Sequence, residues 1–299
     1  IQERFGPDAH AGFVEGGYLI LGGPDAPAAW RDGIAMQRAA GAEIATLTPD
    51  EAVARFPWLN AEGLGLATFG LRNEGWFDAW SVLQAVRGGA RRRDVTYVEA
   101  EAQALETRGG RVAAVRLADG ATLDGDWFVN AAGALSGALM RRSGLLLPVE
   151  PRKRTVFMIR APLDGGGVPM VFDPSGFWLR PERDGFICGI APPEESDPDA
   201  TGDFEPDHAM LEAVLWPALA HRIPALERLR VERAWAGHYE MNTLDHNGVI
   251  GPHDELPNLI LATGFSGHGV QHAPATGRGV AEWILHGAFR SLDLSPLGY

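Results

Sequence analysis

Leu259-Ile-Leu-Ala-Thr-Gly-Phe-Ser-Gly-His-Gly-Val-Gln-His-Ala-Pro-Ala-Thr-Gly-Arg-Gly-Val-Ala-Glu-Trp-Ile-Leu285 decides how the rest of the chain is read. A short apolar run, Leu259 to Ala262, predicts a buried strand, and Gly264, Gly267 and Gly269 follow it within six residues. A helix is expected to open near Pro274, because proline suits a first turn where its missing N–H costs nothing. Such a junction exposes backbone N–H groups, and the helix dipole puts partial positive charge at its mouth. Ala273, Gly277 and Ala281 recur every fourth residue, so one helical face is nearly bare and can approach backbone or a flat ligand closely. A glycine-rich surface turn is the plain alternative; an electron-rich ligand at the junction is the reading the helix pattern favours.

Outward from that junction, Trp127-Phe-Val-Asn-Ala-Ala-Gly133 repeats the construction: a strand ending in small residues, then helical sequence from Ala134 to Arg142. Two such units are the mark of a cofactor-binding α/β domain. From Val95 the pattern is β, with Ala118-Asp119-Gly120 as a hairpin turn. Earlier, Gly17 to Leu21 reads as a strand and Pro27 to Ala40 as a helix. Thr48-Pro-Asp-Glu51 is a capping box, and Asp78 is placed to cap a helix through Arg92 that carries Trp80, Leu83, Gln84 and Arg87. Residues 149–191 read as strands broken by glycine turns, 194–207 as an acidic loop, the following residues up to about His221 as helix, and Val231 to Trp235 as a strand.

The expected fold is therefore α/β plus α+β: a Rossmann-like cofactor-binding domain interleaved with an antiparallel-sheet domain. The expected boundaries are 93–148 and 245–290 for the first, and 10–92 and 149–244 for the second.

The bulk numbers limit the partners. The chain has 299 residues, 45% hydrophobic and 22% charged, with mean hydropathy −0.09. That is a globular composition long enough for one large or two moderate domains. Its 38 glycines are about 13% of the chain against a usual ~7%, without a Gly-X-Y period. A net charge of −13 and a pI near 5.1 argue against nucleic acid and anionic membrane. No apolar run approaches the roughly 20 residues of a membrane span. The single cysteine, Cys188, sits in strand-like sequence and reads as a buried structural thiol. Ile1 to Gly6 shows neither an initiator methionine nor an apolar signal region, so a segment of something longer in a reducing cytoplasm is expected.

Asn130-Ala-Ala-Gly133, Pro148-Val-Glu-Pro151, Trp235-Ala-Gly-His-Tyr-Glu-Met-Asn-Thr-Leu-Asp245 and Gly264-Phe-Ser-Gly-His-Gly269 occur in that order. The series resembles the D-amino acid oxidase-like flavin amine oxidoreductases, over about Gly12 to Pro296. Asn73-Glu-Gly-Trp-Phe-Asp78, Pro151-Arg-Lys-Arg154 and Asn242 to Pro252 resemble a subgroup linked to assembly of a respiratory complex. The departure from the family is its Gly-x-Gly-x-x-Gly loop, which no part of this chain carries: Gly16-Gly17 and Gly22-Gly23 lack the spacing. The resemblance therefore implies that the cofactor domain is a Rossmann-like FAD/NAD(P)-binding domain without its first βαβ unit, and that the antiparallel-sheet domain is the substrate domain.

It further implies noncovalent FAD, wrapped by Gly264, Phe265, Ser266, Gly267, His268, Gly269, Val270 and Gln271. Asn130, Ala131, Ala132 and Gly133 would pass near the ribose and pyrophosphate, and Ala102 near adenine. His268 is the candidate base, or else fixes the loop. Tyr239 and His238 are candidates to bond a substrate carboxylate, or else pack. Arg180 would meet a substrate acid or the surface, and Asp245 would order a turn.

Sarcosine oxidase-like members carry a lysine on the strand matching Phe186 to Gly189 and another at Gln271. Neither is present, which implies a dehydrogenase and disfavours a simple N-methyl amino acid. The expected partners are an amine or amino acid and an electron acceptor. The alternatives are a non-catalytic assembly factor that meets respiratory-complex subunits, an inactive fragment, and, remotely, a metal hydrolase using His268 and His272.

Overall fold

The computed structural model describes all of residues 1–299. By its contacts the chain divides into two compact units, and it passes between them several times. The first unit comprises residues 1–95, 154–194 and 205–236; the second comprises 96–153, 195–204 and 237–299.

In chain order the strands are β1 (Tyr18–Gly22), β2 (Ile44–Leu47), β3 (Leu66–Gly70), β4 (Ala102–Arg108), β5 (Arg111–Leu117), β6 (Thr122–Asp124) and β7 (Phe128–Asn130). They continue with β8 (Val149–Arg160), β9 (Met170–Phe172), β10 (Phe177–Glu182), β11 (Gly185–Ile190), β12 (Arg230–Asn242), β13 (Val249–Pro252) and β14 (Leu259–Thr263).

The first unit is built on an eight-stranded sheet in the order β12-β8-β11-β10-β9-β1-β3-β2. Alternation in its strands sends Leu19, Leu21, Val171, Phe177, Leu179, Phe186 and Cys188 to one face, where all are buried. Leu211, Leu215, Leu219, Ile223 and Leu226, from the helical stretch 208–228, close over that face and are themselves almost fully buried. Each such side chain stabilises the unit by about 1.5–3 kcal/mol relative to exposure. A buried ion pair lies in this core: Arg222 Nε meets Asp173 Oδ2 at 2.5 Å, and its guanidinium also donates to the Asn60 and Glu62 carbonyls. Burial of such a pair is tolerable because the remaining donors are satisfied.

The 49–55 helix carries the expected capping box, with the Thr48 side chain accepting from Glu51 N and Glu51 bonding back. Asp78 caps the 79–91 helix by accepting from Trp80 N and Ser81 N. Trp80 and Leu83 on that helix are exposed, and only Gly89 is buried, against the Phe5 ring.

The second unit holds two small sheets. In one, β14 pairs in parallel with β7 (Leu259 opposite Phe128, Leu261 opposite Asn130) and antiparallel with β13. In the other, β4, β5 and β6 form an antiparallel meander around the expected 118–120 turn. Asn258, almost fully buried, ties the two sheets together: its side chain accepts from Val112 N and donates to the Val112 and Asp126 carbonyls. Leu105, Val112, Phe128, Met140, Val149, Leu259 and Leu261 form the core of this unit.

Several boundaries differ from the sequence expectation. Residues 95–101 carry no strand; Val95, Tyr97 and Val98 are exposed, so their β preference has no covered face to act on. The last long strand is Arg230–Asn242, well beyond Val231 to Trp235. The stretch after Ala132 opens as a 3-10 turn, Gly133–Leu135, before the helix Ser136–Arg142. Finally, the helix after β14 begins at Gly269, so Pro274 lies inside it rather than in its first turn. The sequence reading put the start too late. Only the first four N–H groups of a helix lack partners, and Pro274, at the sixth position, removes a bond that Val270 O would accept. Both Pro274 and Val270 are exposed, so that carbonyl is open to water.

Candidate flavin site

The two glycine junctions are brought together by the parallel pairing of β7 with β14, which end side by side. At the first, the Asn130 side chain, almost fully buried, folds back to accept from Ala132 N and donates to Ser136 O. Gly133 takes φ +58, a conformation glycine adopts without penalty.

At the second, Gly264 and Gly267 have φ +78 and +98, and between them Ser266 is left-handed although it is not glycine. Ser266 is held there by its own hydroxyl, which accepts from Asn242 N at 3.0 Å and donates to Gly264 O. A Cβ on Gly267 would lie 2.5 Å from the Tyr239 ring. The turn is therefore fixed by packing and hydrogen bonds, and it delivers the chain into the 18-residue helix Gly269–His286.

Thr263, fully buried at the end of β14, links the two junctions. Its Oγ1 lies 2.7 Å from Ser136 Oγ, 3.4 Å from Gly133 O and 2.8 Å from Glu240 Oε2. Glu240 also accepts from Gly264 N at 3.1 Å, and its Oε1 stands against Gly269, the first residue of the helix. An acid thus sits at the mouth the sequence marks as electropositive.

A cleft of about 440 Å³ runs between this helix and the small sheet. Val129, Ala131 and Ala262 line one wall, and Ala273, Thr276, Gly277 and Val280 line the other. Of the small residues expected on that helical face, Ala273 and Gly277 line the cleft and Ala281 does not, and all three are exposed. Thr276 is buried there, and its Oγ1 has no hydrogen-bond partner. A buried hydroxyl without a partner is costly enough that a ligand group is the natural complement.

The remaining predicted residues are placed less compactly. His268 precedes the helix, exposed, with its ring 6.4 Å from that of His272. No group of three or more His, Cys, Asp or Glu stands where it could hold a metal ion. Tyr239 packs on Gly267, whereas His238 bonds the Asp203 carbonyl at 2.7 Å and stacks under Phe204, with ring centroids 4.3 Å apart. His238 is thereby committed to the 195–204 loop, and the three candidate catalytic side chains do not converge on one point. Phe265 is buried over Gly248, and Val270 and Gln271 are exposed in the first helical turn. Ala102 opens β4, away from both junctions in the sheet order.

Arg180 is ion-paired with Glu182 at 2.6 Å. Asp245 accepts from Asn242 Nδ2 and Asn247 N, ordering the turn before β13, and the Asn247 bonds hold its carboxyl below the usual range. Burial pushes the Cys188 thiol up to about 12, as an inert core thiol requires.

Sequence reading missed Glu240, Thr263, Ser136 and Thr276. The sequence marks Glu240 only as the one carboxylate in Trp235 to Met241, which does not say what it faces.

The residues present fit a flat ligand with one polar edge: a cleft with mostly apolar walls and an unpartnered Thr276 hydroxyl, beside a glycine turn whose Gly264, Ser266 and His268 N–H groups are bonded within the protein. They do not include a Gly-x-Gly-x-x-Gly loop for a diphosphate.

This site and fold define a flavin-dependent oxidoreductase class. The family model described as FAD dependent oxidoreductase, DAO, matches residues 1–283, and the chain belongs to that family. It is 39% identical over 316 residues to the "FAD-dependent oxidoreductase domain-containing protein 1" of Bos taurus, covering 95% of this chain and 65% of that relative. The chain thus spans just under two thirds of that relative's length. Among solved structures it is similar to L-proline dehydrogenase from P. horikoshii, with TM-score 0.85, 27% identity, and 99% of this chain and 79% of that one covered. It is also similar to glycine oxidase from Geobacillus kaustophilus, with TM-score 0.80, 25% identity, and coverage of 99% and 77%. No helix is long and apolar enough to cross a membrane.

Proposed function

We propose that the protein is an FAD-dependent oxidoreductase that oxidises the C–N bond of an amine or amino acid, and that it works as a dehydrogenase. The observation that carries this reading is the Gly264–Gly269 turn, fixed against Tyr239 and Ser266 at the mouth of a long helix in a member of a flavin family. When bound there, FAD supplies a two-electron acceptor for a hydride from the carbon next to nitrogen.

The chain's own residues have separate tasks in this account. The second unit is the cofactor domain, and the eight-stranded sheet of the first is the substrate domain. Gly264 and Gly267 hold the left-handed turn that leads into the helix, and the helix N-terminus would favour negative charge on the near edge of the ring. Thr276 Oγ1, unpartnered at the cleft wall, would donate to the cofactor. Tyr239, on Gly267, is the side chain best placed to orient a substrate carboxylate. His238 is a structural anchor of the 195–204 loop. Neutral amines need no strong base for hydride departure, so His268 serves the loop.

Dehydrogenase behaviour is supported by β11, which is buried throughout and carries Ile187 and Cys188 but no lysine. The solved relatives' own names include both a dehydrogenase and an oxidase. A non-catalytic role beside respiratory-complex subunits is the second reading, favoured by the missing lysines at β11 and Gln271.

The test is anaerobic mixing of the FAD-loaded protein with a panel of cyclic, N-alkyl and primary amino acids. Bleaching of the flavin by one of them, with turnover faster on a dye acceptor than on oxygen, is the expected result. An unbleached flavin across the panel overturns the catalytic reading.

A further inference from the structure

The sequence predicts that something electron-rich occupies the mouth of the 269–286 helix, and the structure shows that the protein supplies it itself. Glu240 Oε2 accepts from Thr263 Oγ1 at 2.8 Å and Gly264 N at 3.1 Å, while Oε1 lies against Gly269. The carboxylate is thereby fixed in the turn by two donors and borders the cleft that Thr276 also lines. The hydroxyl of Thr276 is buried, unpartnered and on the opposite wall, so the cleft offers a ligand one donor and one anion. No arginine or lysine is among the residues that line this cleft or bond Glu240.

We propose that Glu240 tunes the flavin: its carboxylate opposes build-up of negative charge on the reduced ring and so makes the bound cofactor a weaker electron acceptor. The inference rests on the flavin reading above. A hydride carries two electrons and one proton to the ring; the displaced electron pair settles on its pyrimidine edge as one negative charge. A helix mouth alone favours that charge. A fixed carboxylate in the same mouth works against it, since like charges at close range repel. Glu240 acts here as a positioning and charge-setting residue, with no part in bond making.

Sulfite measures this without turnover. Its lone pair forms an S–N bond to the flavin, and the displaced electron pair leaves the same negative charge on the pyrimidine edge. The experiment loads the wild-type protein, E240Q and E240D with FAD and titrates each with sulfite by absorbance. Glutamine keeps an oxygen acceptor for Gly264 N and Thr263 Oγ1, so E240Q retains the turn. The expected result is roughly tenfold tighter sulfite binding in E240Q, equivalent to a two-electron potential raised by about 30 mV, with E240D close to wild type. Equal sulfite affinity in wild type and E240Q overturns the inference and leaves the flavin reading standing. Equal tightening in E240Q and E240D also overturns it, by assigning the effect to geometry rather than charge. Failure of the wild type to bind FAD overturns the flavin reading and this inference together.

Discussion

Replacing Thr263 with valine removes one hydroxyl and keeps the shape of the side chain. Thr263 is fully buried, and its Oγ1 joins Ser136 Oγ, also fully buried, to the Glu240 carboxylate. In Thr263→Val, Ser136 loses its partner in this network and Glu240 retains the Gly264 N–H. A stranded buried hydroxyl costs about 1–3 kcal/mol, and loss of a hydrogen bond to a charged group about 1.5–3. The added methyl returns part of that, leaving an expected loss of about 2–4 kcal/mol. With a urea m-value near ~3 kcal/mol/M, the unfolding midpoint falls by roughly 1 M. Tryptophan fluorescence reports it, since Trp127 and Trp283 lie in the same unit. The double variant Thr263→Val with Ser136→Ala removes both hydroxyls and should recover at least ~1 kcal/mol of the loss. A midpoint within about 0.2 M of wild type for Thr263→Val, or no recovery in the double variant, refutes the view that this network fastens the two junctions.

Four further outcomes follow from the same geometry. Gly267→Ala places a side chain at φ +98 and 2.5 Å from the Tyr239 ring; it should lose about 2–4 kcal/mol of stability by thermal melting and weaken FAD binding more than tenfold by titration. Arg222→Ala leaves Asp173 as a buried unpaired carboxylate and should destabilise by about 3–5 kcal/mol in denaturant. Cys188, fully buried with its thiol pushed to about 12, should ignore thiol reagents until the protein is unfolded.

The fourth concerns acid. Glu282 accepts from Ser291 Oγ, Ser291 N and Arg290 N, and the Ser291 side-chain bond leads in lowering its carboxyl to about 2. A carboxyl depressed in the folded state stabilises above its ordinary 4.5 and stops doing so as pH falls toward 2. Hydrogen exchange at Ser291 should be faster in E282Q than in wild type at neutral pH, and the two should converge near the lower value.

How much of this was legible in the sequence depends on how local each signal is. The Thr48 and Asp78 caps, the 118–120 turn and the strand before Gly264 are set by neighbours in the chain, and each appears where the residues place it. The start of the 269–286 helix misled because Pro274 is a strong local signal that the Gly264–Gly267 turn overrides. Val95 to Val98 looked like strand by residue preference, yet they lie exposed, with no covered face to act on. Glu240, Thr263 and Ser136 were silent for another reason. They are more than 20 residues apart from one another, and only the pairing of β7 with β14 and the approach of β12 join them. A lone glutamate in a strand says nothing about which N–H groups it will face. His238 carried two readings in the sequence, a substrate contact or packing, and only the distant Phe204, stacked on its ring, bears on the choice.

Titration of the protein with FAD, followed by absorbance and flavin fluorescence, tests the central claim most directly. The account predicts saturable binding at one site per chain, lost or weakened more than tenfold in Gly267→Ala. Absence of a saturable signal, or binding indifferent to Gly267→Ala, would contradict a flavin site built on the Gly264–Gly269 turn.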